Sequence, residues 1–198
     1  AGVPGVQVGE QRILELLGSS LDPHSLNTYG MLYTMHAEVK HWLDMGKRGS
    51  IVNVGSLCGE HAGICGAMYT SSKYATIGFS KQAAVKYAPK GIRINVLDPG
   101  LVSTQMLRDD YGKNLAPDDP RWLEARRNVD AAIPLKHIAE PWEMAGPILF
   151  LADFSRSSYV TGAVLTADGG LTQVGAFNSE AAAVSGGQYG PAAYKMEL

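Results

Sequence analysis

The chain has 198 residues, 45% of them hydrophobic, and a formal net charge of −2 with acidic and basic residues interspersed. That length and apolar content suffice for the buried core of one domain. The mixed charge excludes a basic nucleic-acid footprint, and no apolar run reaches the length that crosses a bilayer. No signal peptide is read at the start, and two cysteines without a disulfide framework suit a reducing compartment, so a cytoplasmic protein is expected.

Asp22-Pro23 predicts a helix start, with Asp22 as N-cap and Pro23 in the first turn. Leu32, Met35, Val39 and Trp42 continue it as an apolar stripe that Gly46 closes. After Gly49, the β-branched run 51–54 predicts a buried strand. Ser56 then stands at the strand's C-terminal end, where open parallel sheets place ligands. Tyr69 to Tyr87 has helical spacing of apolar residues and ends at Pro89 and Gly91. Residues 92–97 form a second strand.

From Leu101 to Pro134 the pattern loosens around interspersed charges and prolines, with a weak helix over 122–129. Such a segment at a functional face reads as a lid over a ligand. Pro141 starts a further helix through about Leu151, and Pro147 inside it predicts a bend or break. Residues 163–167 form the last strand. Helical crossovers make the three strands parallel. The 172–198 segment is an Ala/Gly-rich tail, flexible or docked on a neighbouring subunit. Cys58 and Cys65 flank His61, but with no fourth ligand by spacing the sequence offers no metal site.

Tyr69 and Lys73 are four residues apart on one helix and share a face one turn apart. A free phenol, with a pKa of about 10, is a poor base at neutral pH, and a nearby ammonium lowers that value. A shift of two to three units corresponds to about 3–4 kcal/mol of differential stabilisation. Ser56, thirteen residues before Tyr69, can bind a substrate oxygen while the phenol exchanges a proton. The trio suits interconversion of a carbinol and a carbonyl.

These motifs resemble the short-chain dehydrogenase/reductase family. Gly49 to Ser56 resembles the strand leading to its catalytic serine, and Tyr69-Thr70-Ser71-Ser72-Lys73 its Y-x-[AS]-S-K signature. Gly91 to Val96 with Asp98-Pro99-Gly100 resembles the next strand and P-G turn. Thr161 to Val164 through Asp168-Gly169-Gly170 resembles its final strand and D-G-G turn. The resemblance runs over residues 1–171. It implies an α/β, Rossmann-like parallel sheet of the short-chain reductase type and an NAD- or NADP-dependent oxidoreductase acting on a small ketone or secondary alcohol.

By position in those motifs, Tyr69 would be the acid/base. Lys73 would tune it and bond the nicotinamide ribose. Ser56 would orient the carbonyl, and Asn27 would hold a water in the proton relay. Pro99, Gly100, Val102 and Thr104 would contact the nicotinamide end of the cofactor, and the 101–134 segment would be the substrate loop. The family also implies a homodimer or homotetramer, paired through the Tyr69 helix and the helix before it. An even alternative is that the apolar stripe packs only on its own sheet. Gly55 departs from the second serine of many members, a change expected to matter little.

The family's T-G-x-x-x-G-x-G loop, on which the cofactor pyrophosphate rests, has no counterpart here. The expectation is an N-terminally truncated form of the fold, the catalytic part of a longer reductase. Two alternatives stay open. One is a cofactor-independent isomerase, dehydratase or cyclase that uses Tyr69. The other is a non-catalytic oligomerisation partner.

Overall fold

The computed structural model describes residues 23–173, apart from Gly63 and Lys113. The expected N-cap Asp22 and the tail from residue 174 lie outside the described residues. Two compact units emerge. One runs up to Asp98 and includes Gly146–Thr166, and the other comprises Pro99–Ala145 and the residues from Ala167.

In the first unit a π-helical turn, His24–Gly30, leads into helix α1, Met31–Asp44. The stripe read from the sequence faces inward: Met35 and Val39 are buried, with Leu32 and Trp42 packed beside them. Gly46 ends the helix in the left-handed region at φ 61°, a conformation that glycine adopts without a Cβ penalty. Strand β1, Gly49–Val54, starts beneath Trp42, whose indole occupies the space that a side chain at Gly49 would need.

Helix α2, Ala67–Tyr87, carries Ala83 and Ala84 onto strand β2, Ile92–Pro99. β1 and β2 are parallel, in register from Gly49 opposite Ile92 to Val54 opposite Leu97. Strand β3, Val164–Ala167, flanks β2 on its other side. This is the expected α/β architecture with a parallel sheet, and its central strand β2 is buried from Ile92 through Asp98, as a strand covered on both faces must be.

Two polar residues inside β2, Asn95 and Arg93, bond to backbone carbonyls, although Arg93 Nε has no partner among the described residues. The Asn95 amide donates to Val160 O at 3.0 Å, and its oxygen accepts from the Ala163 N–H at 3.0 Å. The Arg93 guanidinium donates to Leu151 O, Val160 O and Ala152 O, and it stacks 4.5 Å from the Phe154 ring centroid. Two of those carbonyls end helix α5, so the arginine acts as its C-cap.

The second unit differs from its sequence expectation. The segment expected to be a loosened lid with one weak helix over 122–129 holds two helices: α3, Gln105–Asp109, which was not expected, and α4, Pro120–Ala132, which contains the expected one. Thr104 caps α3 and Asp119 caps α4, with Pro120 in the first turn. Trp122, Leu107, Leu115, Val129, Ile133, Ile138 and Leu171 are its buried side chains. Only Trp122 and Val129 are buried within α4, with Ile133 just past its end, and the helix's many charges hide so sparse a stripe.

The proline expected to bend the next helix is accommodated by a change of helix type. Residues Pro141–Met144 form a 3₁₀ turn, and α5, Ala145–Ala152, begins after it. Pro147 thus falls in the first turn of α5, where a missing N–H is tolerated. A short helix α6, Phe154–Ser157, follows.

Candidate functional site

Ser56 leaves β1 in an extended conformation and caps a 3₁₀ turn, Leu57–Gly59. Its Oγ accepts from the Cys58 N–H at 3.2 Å, and its own N–H donates to Asp98 Oδ1 at 3.1 Å. Main chain and side chain are therefore both held at the C-terminal end of β1.

Tyr69 and Lys73 lie in the first turns of α2, Tyr69 half-buried and Lys73 buried. The Lys73 Nζ is 5.6 Å from the Tyr69 ring centroid, so the two side chains lie on one side of the helix, as positions four apart must. Nζ also donates to Val54 O at 3.3 Å, two residues before Ser56. That bond ties the lysine to the strand end that carries the serine. Burial pushes the Lys73 ammonium below its ordinary pKa, and the negative charge of Asp98 opposes the shift.

Asn27 is buried in the π-helical turn. Its Nδ2 donates to Ser72 Oγ at 3.0 Å, and that hydroxyl donates to Tyr69 O at 2.7 Å. The expected residue is therefore beside α2, bonded to Ser72, the residue before Lys73, and linked through it to the backbone of Tyr69. A π turn widens the helical ladder by one residue, a local change that apolar periodicity does not reveal.

The two cysteines, read as separate residues in a reducing compartment, are joined as a Cys58–Cys65 disulfide with a Cα–Cα distance of 6.2 Å. Their count alone therefore does not support a reducing compartment. The bridge spans the segment between Ser56 and Tyr69. Cys58 N–H holds Ser56 Oγ, and Cys65 O accepts from Thr70 Oγ1 at 3.3 Å.

A further correction concerns Gly55. A Cβ there would overlap Asp98 Oδ1 and sit 3.0 Å from Val96 Cγ1. The glycine leaves room for a carboxylate, so the departure from serine does matter. Asp98 itself was read only as part of the turn motif. The available signal was an acid closing a strand that is otherwise buried. Burial, with the charge of Glu60 adding to it, pushes Asp98 up to about 7 against the Ser56 N–H, Lys73 and Lys81.

The residues assigned to the cofactor on motif position stand in the second unit. Gly100 donates its N–H to Ala167 O at 2.9 Å, and a Cβ there would meet Asp168 Cα at 2.6 Å. Val102 pairs with Ala139 in a parallel bridge. Thr104 Oγ1 accepts from the Leu107 N–H at 3.4 Å. Asp168 is pushed up by burial, but bonds from Thr172 and Gly170 hold it below its ordinary value. These contacts give the backbone its course, and Pro99 ends β2.

Among the described residues no helix is long and apolar enough to cross a membrane. A family model described as enoyl-(acyl carrier protein) reductase matches residues 14–172. Carbonyl reductase family member 4 of Xenopus laevis is 37% identical over 147 residues, covering 74% of this chain and 55% of that protein. L-Rhamnose 1-dehydrogenase (NAD(P)(+)) of Azotobacter vinelandii is 34% identical over 146 residues, covering 73% and 53%. The chain thus spans little more than half the length of these relatives.

A short-chain type dehydrogenase/reductase from Mycobacterium marinum superposes with a TM-score of 0.67 at 28% identity, over 87% of this chain and 62% of that one. ElxO with NADP bound does so with 0.68 at 26% identity, over 86% and 65%. Motif order and the parallel sheet agree with these likenesses: the chain belongs to the short-chain dehydrogenase/reductase family.

Proposed function

We propose that this chain is the catalytic part of an NAD- or NADP-dependent oxidoreductase that interconverts a small ketone and a secondary alcohol, with Tyr69 as proton donor. The observation that carries the reading is the buried Lys73 ammonium 5.6 Å from the Tyr69 ring centroid, anchored on the strand end that bears Ser56. An ammonium there stabilises the phenolate and lets Tyr69 exchange protons near neutral pH. Ser56, fixed through both its N–H and its Oγ, presents its hydroxyl to the substrate oxygen. Asn27 braces the helix at Ser72, and a water relay through it completes the proposal.

The donor set fits a nicotinamide cofactor. Lys73 has three N–H donors and bonds one backbone carbonyl at 3.3 Å, which leaves capacity for ribose hydroxyl oxygens. When bound, the cofactor supplies or accepts the hydride. Reduction then consumes one hydride at the carbonyl carbon and one proton from Tyr69 at the oxygen. Pro99, Gly100, Val102 and Thr104 are proposed for the nicotinamide end on motif position. Exposed Tyr29, Tyr33, Tyr74, Phe79 and Val85 on the π-helical turn, α1 and α2 support pairing with a second copy, as a homodimer or homotetramer. A cytoplasmic location belongs to the same reading. Counting thiols in protein extracted under alkylating conditions tests it, because a persisting Cys58–Cys65 bond would indicate an oxidising compartment.

The decisive experiment is Tyr69→Phe in the full chain, assayed by NADH and NADPH consumption against a panel of ketones. Turnover should fall at least about a hundredfold, the lower range for losing a general acid, with thermal unfolding unchanged. Undiminished turnover removes Tyr69 from the mechanism. Tight binding of either nucleotide defeats the cofactor-independent alternative, and failure of both to bind leaves a partial protein or a cofactor-independent reaction at the same tyrosine.

A further inference from the structure

Asp98 is fully buried at the end of β2. Its Oδ1 takes the Ser56 N–H at 3.1 Å, while Oδ2 has no hydrogen-bond partner among the described residues. The chain makes space for this carboxyl by having no side chain at Gly55. A buried carboxyl oxygen left unbonded is costly, and a glycine cleared to admit it indicates a role beyond filling space.

Among the described residues, three other charged groups act on it. Lys73 and Lys81, both on α2, favour the carboxylate, and Glu60, beyond the 3₁₀ turn, disfavours it. Glu60 is itself bonded to Thr166 Oγ1 at 2.9 Å. The same lysine that attends Tyr69 thus feels the charge of Asp98.

We propose that Asp98 is a positioning residue for the reaction, a switchable counter-charge that holds Ser56 through its amide and sets how strongly Lys73 stabilises the Tyr69 phenolate. The inference rests on the acid/base role proposed for Tyr69. Protonated, Asp98 leaves the Lys73 cation unopposed. Ionised, it offsets part of that cation's field and makes the phenolate harder to form. Burial sets the exchange between these states at a neutral pH, about 7.

The test is Asp98→Asn in the full chain, which keeps an acceptor for the Ser56 N–H and removes the charge. The acid limb of the pH profile for alcohol oxidation should move to lower pH by roughly 0.5–1 unit. A uniform loss of rate with an unmoved limb reduces Asp98 to a structural support and overturns the proposal.

A second measurement needs neither turnover nor that variant. Carbon-13 NMR of the assigned Asp98 carboxyl should give a midpoint near neutrality that rises in Lys73→Met. A midpoint in the ordinary aspartate range, or one indifferent to Lys73→Met, also overturns it. Undiminished turnover in Tyr69→Phe sinks the underlying reading and this role with it. That failure is recognised separately, because the carboxyl titration is read without catalysis.

Discussion

Gly55→Ala tests the packing on which the site depends. The added methyl would overlap Asp98 Oδ1 and lie 3.0 Å from Val96 Cγ1 and 3.1 Å from Asp98 Cγ. Val96 is in the buried central strand and has little room to yield. The carboxyl must therefore swing away, giving up its 3.1 Å bond from the Ser56 N–H. Overpacking of this kind costs about 1–3 kcal/mol. Loss of a hydrogen bond to a buried carboxyl adds about 1–2 kcal/mol. A total near 3 kcal/mol would lower Tm by roughly 6–12 °C for a domain of this size.

Thermal and urea unfolding of the single variants and of a Gly55→Ala/Asp98→Ala double variant measure it. With the carboxyl truncated, the alanine at 55 meets only Val96, so its cost should fall and a coupling of at least about 1 kcal/mol should appear. Additive single costs, or an unchanged Tm in Gly55→Ala, would refute the claim that the glycine exists to admit Asp98.

Three further outcomes are expected. Reducing Cys58–Cys65, which are seven residues apart in sequence, should lower stability by about 2–3 kcal/mol on the chain-entropy estimate; two thiols that titrate in the unreduced native protein would contradict the bond. Trp122→Ala should cost about 3–5 kcal/mol, because the indole is only 1% exposed and packs tilted against the Tyr111 ring at 5.6 Å between centroids; a loss under about 1 kcal/mol in urea unfolding would mean that the second unit is not packed around it.

The third is a pH dependence. The native state holds the Asp98 proton up to about 7, against an ordinary value of 3.8. The native state therefore binds that proton more tightly than the unfolded chain, and the stability it contributes is complete below about pH 4 and lost as pH rises through 7. The stability of the protein relative to Asp98→Asn should fall across that window and level off above it; a flat difference would place the carboxyl's pKa in the ordinary range.

Much of the site was legible because it depends on short-range regularities. Four residues make one helical turn, so Tyr69 and Lys73 had to share a face. A β-branched run before a serine made a strand that ends at Ser56. The stripe of Met35 and Val39 and the closing Gly46 were visible for the same reason: helical period and glycine's access to positive φ are local properties. The 101–134 segment was not legible as two helices. Its buried positions are few, and its caps at Thr104 and Asp119 sit among other polar residues.

Sequence alone determined that the strands are parallel, the one-turn spacing of Tyr69 and Lys73 and the family to which the chain belongs, since each follows from neighbours within a few turns or from motif order. Only the tertiary structure decided that Asp98 reaches the Ser56 amide across 42 residues of chain, that Gly55 must be bare to admit it, and that Cys58 and Cys65 are joined. Those contacts depend on which strand end lies beside which, and on how a loop closes. Local periodicity carries no record of either.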